Sequence, residues 1–249
     1  MKLKPISLMV MATLAAPMLA QAAESPHSLS GNISLTSDYV FRGVSQTQNG
    51  PAIQGGFDYS HASGFYVGTW ASNVAWVSDG GYKDDNSMEI DLYGGYRGSA
   101  GPIGYDLGVI TYYYPGDDIP GATDPDTTEA YVGASWEFLS LKYSHVVSEH
   151  FVGWTTDTGG KTRNSYYVEL NGSYDLGSGW GVLGHVGYQN VKDNDDASYT
   201  DWKVGVTKDI GFGVVTVAYT DTNADDTAYT WDGEEVADGR AFVSFSKTF

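Results

Sequence analysis

Two serine–histidine neighbours are the residues best placed to form a nucleophilic pair. A hydrolase working at a lipid surface needs its serine and histidine on one face of a strand, hence an even spacing, and a third polar group to orient the imidazole. Ser144 and His145 are adjacent and so point to opposite faces. Ser148 and His150 have the right parity but fall near a rim, and no Gly-x-Ser-x-Gly turn occurs in the chain. The chain is therefore read as a non-enzyme without catalytic residues, His150 being a rim residue. A second chemistry is metal binding. Asp221, Asn223, Asp225 and Asp232 stand at offsets one, three, five and twelve of a calcium loop, but Asp226 occupies the position that needs glycine. This stretch, like Asp193, Asp195 and Asp196, is read as a solvated acidic loop with no resident metal or cofactor. A weak calcium bridge to lipid phosphates stays open. The third group is the largest: Asp38, Asp58, Glu89, Asp91, Asp106, Glu129, Glu137, Glu169 and Asp175 against Arg42, Arg97, Lys142, Lys203 and Arg240. All fall on the polar parity of alternating segments, where they could line an aqueous lumen.

The elements that position them show a period of two, which sends successive side chains to opposite faces of a strand. In 29–42 one face carries Leu29, Ile33, Leu35, Tyr39 and Phe41, and the other Ser30, Asn32, Ser34, Asp38 and Arg42. The same alternation marks 88–97 and 165–175. Strands are expected at 29–42, 52–61, 65–77, 87–97, 103–114, 128–138, 140–150, 164–175, 180–190, 200–209, 212–221 and 240–249. Those at 65–77 and 212–221 carry apolar or aromatic residues on both parities. Short connections (62–64, 98–102, 139, 177–179, 210–211) alternate with long ones (43–51, 78–86, 115–127, 151–163, 191–199, 222–239). That alternation is the topology of an outer-membrane barrel, and an even strand number returns both ends to the periplasmic side. The expected fold class is all-β: a transmembrane, antiparallel, up-and-down barrel of about twelve strands.

The start and the composition set the compartment. Lys2 and Lys4, the apolar run from Ile6 to Leu19 and the small-x-small Ala20-Gln21-Ala22 read as a cleaved leader over 1–22, leaving 23–249 as one barrel domain. The apolar run is shorter than the roughly 20 residues of a spanning helix. Loss of the leader removes two lysines and no acid, so 11 basic residues face 31 acidic ones, a formal charge of -20. Such a surface repels nucleic acid and suits cations. With no cysteine, disulfides and thiolate metal sites are excluded.

A soluble β-sandwich would also alternate, but its wet faces should carry most of the lysine and arginine, and here they carry few. The chain also ends in Phe249 on the face of Ala241, Val243 and Phe245, which looks like the signature read by the outer-membrane barrel assembly machinery. Lys247 departs from that signature and can snorkel to headgroups. Ser37-Asp38-Tyr39-Val40-Phe41-Arg42-Gly43-Val44-Ser45-Gln46, then Gly64-Phe65-Tyr66-Val67-Gly68-Thr69-Trp70-Ala71-Ser72-Asn73-Val74, with Tyr105-Asp106-Leu107-Gly108 and Tyr112-Tyr113-Tyr114-Pro115-Gly116, resemble the TorF-like porin family (Gcw_chp) of proteobacterial outer-membrane barrels. The resemblance covers nearly all of 23–249. It implies an outer-membrane location and a channel role, and carries over no ligand or catalytic residue.

The expected function is a porin-like channel in a Gram-negative outer membrane, contacting outer-membrane lipids and passing small polar or cationic solutes. Five long loops (78–87, 115–128, 148–162, 191–199 and 221–238) hold 19 of the 31 acids, which makes that mouth negative. The alternative is a closed structural or adhesive barrel, because inward Tyr66, Trp70, Tyr93, Tyr112, Tyr114, Tyr131 and Tyr167 could fill the lumen.

Overall fold

The computed structural model describes residues 25–249, and the expected leader lies outside the described residues. Twelve antiparallel strands close into one barrel: β1 (His27–Thr36), β2 (Ala52–His61), β3 (Phe65–Asn73), β4 (Met88–Ala100), β5 (Ile103–Tyr113), β6 (Thr127–Trp136), β7 (Leu139–Val146), β8 (Tyr166–Gly177), β9 (Trp180–Asn190), β10 (Tyr199–Asp209), β11 (Val214–Thr222) and β12 (Arg240–Thr248). Each pairs with its neighbours in sequence, and β1 closes the circle on β12 from Asn32↔Thr248 to Thr36↔Ser244. Phe249 extends the seam by exchanging main-chain hydrogen bonds with Gly31 at 2.8 and 2.9 Å. Closure pairs each of the twelve strands on both sides, so the wall satisfies its backbone groups mainly within itself. Short turns gather at one end and long connections at the other, called here the turn end and the loop end.

The outward parity is apolar around the whole circumference. Leu35, Ile53, Val67, Leu92, Leu107, Val132, Leu141, Leu170, Val186, Val204, Val217 and Val243 are all exposed. The largest apolar patch on a soluble monomer covers about 300–600 Å². A belt that runs round the whole barrel exceeds such a patch and suits apolar surroundings. Two aromatic girdles border it. Tyr96, Tyr105, Phe138, Tyr174 and Trp180 lie toward the turn end, and Tyr113, Tyr143, Tyr166, Tyr188 and Trp202 toward the loop end. Neighbouring rings touch on each, as at Phe138–Tyr174 (6.0 Å between centroids) and Tyr143–Tyr166 (5.7 Å). On β5, β8 and β9 the two girdle residues are eight positions apart. At ~3.4 Å per residue and a tilt near 40° that spacing sets the girdles about 20 Å apart along the barrel axis.

Three expectations need correction. The strand predicted over 29–42 leaves the wall after Thr36, and 37–50 turn into the lumen. The turn between β6 and β7 is Glu137–Phe138 rather than residue 139, with Glu137 at φ 52. The strand predicted over 65–77 stops at Asn73, and Trp76–Asp79 form a single helical turn at the loop end. The two segments of ambiguous face are resolved by packing. Tyr66 and Ser72 of β3 and Thr216, Ala218 and Thr220 of β11 are buried inside, while Phe65, Val67, Val217 and Tyr219 are exposed outside.

Candidate functional site

Residues 38–47 form a β-hairpin inserted into the lumen from the loop end. Val40 pairs with Ser45 and Phe41 with Val44, joined by Arg42-Gly43 with φ values of 48° and 82°. Positive φ at both central positions is the two-residue hairpin geometry that suits Asn-Gly, so Arg42 holds a left-handed backbone that costs about 1–3 kcal/mol. Gly43 is required on two counts. Its φ is positive, and a Cβ there would lie 2.5 Å from Thr222 Cγ2 and 2.7 Å from Asp201 Cβ.

Arg42, at the tip, is what holds the hairpin across the lumen. Its Nη1 and Nη2 donate to the two carboxylate oxygens of Glu129 on β6 at 2.9 and 2.7 Å, and Nη1 also donates to Gln189 Oε1 on β9 at 2.8 Å. The guanidinium lies 4.3 Å from the Tyr167 ring centroid on β8 and 4.7 Å from its neighbour Phe41. Glu129 and Gln189 are fully buried. Burial alone would lower the guanidinium pKa, but the Glu129 carboxylate outweighs it and drives the value up. Elsewhere on the hairpin, Tyr39 donates to Glu89 at 2.6 Å and packs edge-on against Trp70, and Phe41 packs against Tyr112. Asp38 accepts from Ser45 at 2.6 Å and pairs with Arg240 of β12 at 3.3 Å. The hairpin thus meets wall residues of β3, β4, β5, β6, β8, β9, β10, β11 and β12 and crosses the lumen toward the loop end.

Of the residues expected to line the pore, Asp58, Glu89, Asp91, Arg97, Asp106, Glu129, Lys142, Glu169, Asp175 and Lys203 face inward from strands, and Arg240 opens β12 at the loop end. Asp38 and Arg42 face the lumen too, but from the inserted hairpin, not from the wall. Glu137 is exposed in its turn and lines nothing. The parity rule assigned it to a strand that ends one residue earlier. The acids cluster on β2, β4, β5 and β6. Asp58 accepts from Tyr93 at 2.7 Å, and Glu89 from Tyr39 and Tyr114 at 2.6 Å each. Asp106 accepts from Tyr66 at 2.6 Å, and Arg97 stacks 3.9 Å from the Tyr66 ring centroid. Asp91 Oδ1 and Asp106 Oδ2 are buried without a protein hydrogen-bond partner. On the opposite wall charges alternate: Lys142 pairs with Glu169 at 3.2 Å.

Sequence reasoning missed a network on this second wall. His185 Nε2 lies 2.9 Å from both Asp201 Oδ1 and the Tyr167 hydroxyl, and its Nδ1 lies 2.7 Å from Asn171 Oδ1. The even spacing of His185 and Gln189 on β9 was the available signal; their partners come from other strands. Beneath the hairpin tip, Arg42, Lys142, Glu169, His185, Asp201 and Lys203 line a cavity of about 40 Å³. A water needs roughly 10–15 Å³ of such space, so the cavity admits a few.

The residues considered for the alternative chemistries are placed as follows in the barrel. Ser144 faces the lumen and His145 faces outward, as parity requires. Ser148 Oγ donates to the His150 carbonyl at 2.9 Å and accepts from the Thr128 amide, while His150 Nδ1 lies 3.1 Å from the Trp154 carbonyl oxygen. In the acidic loop, Asp225 Oδ1 accepts from the Thr227 and Ala228 amides and Asn223 Oδ1 from the Thr200 amide. These oxygens cap backbone turns, and among the described residues no three acidic or histidine side chains converge as metal ligands.

With this geometry in hand, the fold is similar to that of the KdgM porin, with a TM-score of 0.56 and 9% identity over 88% of this chain and 99% of that one. It is similar too to the KdgM porin in complex with disordered oligogalacturonate (0.54, 8%, 89% and 98%) and to the NanC porin (0.53, 10%, 88% and 98%). At such identities the likeness is one of fold. No curated protein sequence matches the chain. The family model described as bacterial protein of unknown function, Gcw_chp, matches residues 20–249, and the chain belongs to that family.

Proposed function

We propose that the protein is a Gram-negative outer-membrane channel for small polar solutes, preferentially cations, that rests with its outer half closed by the hairpin 38–47. In this reading the leader over 1–22 is cleaved, the apolar belt meets outer-membrane lipids, the loop end faces outward, and Phe249 is read by the barrel assembly machinery. The observation that carries the proposal is the charge of the lumen. Asp38, Asp58, Glu89, Asp91, Asp106, Glu129, Glu169, Asp175 and Asp201 face five fixed bases, so pairing leaves negative charge over. Asp91 and Asp106 each bury a carboxylate oxygen that no protein group satisfies. A buried carboxyl oxygen without a protein partner must be protonated or be reached by water or a cation, and a hydrated, cation-attracting path along this wall supplies the latter.

A second reading, a closed structural or adhesive barrel, is favoured by the buried Arg42–Glu129 pair, which ties the hairpin firmly across the lumen. Single-channel recording in a planar bilayer separates the two. The channel reading expects brief cation-preferring openings from pure folded protein. A permanently silent barrel, even after the hairpin is released by substitution, supports the closed scaffold.

A further inference from the structure

Above the hairpin, the connections at the loop end fold over one another and enclose a cavity of about 30 Å³. Most of its wall is aromatic, from Trp76, Tyr82, Phe151, Trp154, Tyr229 and Trp231 with the inserted Phe41 below; Gln46 is its one amide side chain, and no charged side chain lines it. The rings brace one another. Trp76 sits 5.5 Å from Tyr82 and 5.9 Å from Trp231, and Trp154 sits 5.4 Å from Tyr229. Burial pushes the Tyr82 and Tyr229 phenols above their ordinary range, so both rings stay neutral through physiological pH.

Two further observations say what this space suits. Around it, the outer connections carry most of the acidic residues of the chain, among them Asp79, Asp84, Asp195, Asp226, Asp232 and Glu234, so the approach is strongly negative. Two fixed positive charges lie close by and both are already matched: the Arg42 guanidinium, 5.6 Å from the Phe151 ring centroid on the lumen side, pairs with Glu129, and Lys83, next to Tyr82 in the chain, pairs with Asp118. A cage built of aromatic rings beneath an acidic collar suits cations that shed water easily, because a ring holds a cation through its quadrupole and not through a hydrogen bond.

We propose that this aromatic cage is a binding site for organic ammonium head groups at the outer mouth. The space holds about two waters' worth of volume, which fits a small ammonium head, and Tyr82, Trp154 and Trp231 are only partly buried, so a head group can reach it from outside. The site lies above the hairpin and does not require the lumen to conduct.

The test is a titration of the folded full-length protein in detergent with choline chloride, followed by tryptophan fluorescence and by calorimetry. The neutral isostere 3,3-dimethylbutan-1-ol and sodium chloride at matched ionic strength serve as controls. Saturable choline binding at least about tenfold tighter than the isostere is expected. Trp154→Leu should weaken it about tenfold in calorimetry and Trp154→Phe should largely restore it, with heat-modifiable mobility confirming that both variants are folded. Equal binding of choline and its isostere would overturn the proposal, as would no saturable choline signal or full choline affinity in Trp154→Leu.

Discussion

Replacing Arg42 by alanine tests whether the inserted hairpin is the closing element. The substitution removes the cation from Glu129, which is fully buried, and the hydrogen bond to Gln189. Breaking a buried ion pair from one side costs about 3–5 kcal/mol, because the remaining charge is left without compensation. Here the cost falls on the inserted state alone, since a withdrawn hairpin lets water reach Glu129. At about 1.4 kcal/mol per decade, the ratio of withdrawn to inserted hairpins should rise between about 100-fold and a few thousand-fold. The assay is open probability in planar bilayers, recorded beside the unaltered protein. A second variant removes the objection that Arg42 also contributes lumen charge. Gly43→Ala keeps every charge but forces a Cβ against Thr222 and Asp201 on a backbone at φ 82, and it should open the channel in the same direction. A coupling energy in the cycle of Arg42→Ala and Glu129→Gln, measured on open probability, would assign the effect to that pair. If both Arg42→Ala and Gly43→Ala fold normally and conduct no more than the parent, the hairpin does not control the pore and the reasoning fails.

Asp91→Asn should reduce the cation-directed reversal potential across a salt gradient more than the pair Asp225→Asn and Asp226→Asn. Raising salt toward 1 M, where the Debye length falls to roughly 3 Å, should erase the loop contribution first; an equal effect of both sets would count against a charged lumen. Deleting Phe249 removes the main-chain pairing with Gly31 that completes the seam, so membrane assembly should slow and the heat-modifiable band should weaken; unchanged assembly would remove that role. Lys83, its side chain nearly buried, bonds Asp118 at 3.2 Å and faces Asp124 and Asp126. Burial lowers its pKa, but the hydrogen bond to Asp118 and the surrounding carboxylates outweigh it, so the folded value lies above the ordinary lysine range. A raised folded pKa contributes stability that is fully present below the unfolded value of about 10.4 and is lost as pH rises through the folded one. Loop-end tryptophan fluorescence should therefore hold through mild alkali and change only above that range, and Lys83→Met should speed proteolysis within 114–126 at pH 8.

Much of the wall was legible in the amino-acid order because a strand's period of two is local. Alternating polar and apolar residues, eleven connections that alternate in length, and an even strand number follow from residues close in sequence. That local rule placed Glu89, Asp91, Asp106, Glu169 and Lys203 inside. Its failures have one cause: period two reports an extended, two-faced segment and not what the segment pairs with. Residues 37–42 keep the alternation of β1 after leaving the wall, because Tyr39 and Phe41 still find apolar partners, Trp70 and Tyr112, inside the lumen. Glu137 keeps the parity of β6 but sits in a turn whose two-residue length is fixed by pairing with β7. The His185 network and the Arg42 latch join residues up to 147 positions apart. Such contacts exist only once twelve strands have closed in register, so the chain order decided that there would be a lumen, and the closed barrel decided what would stand in it.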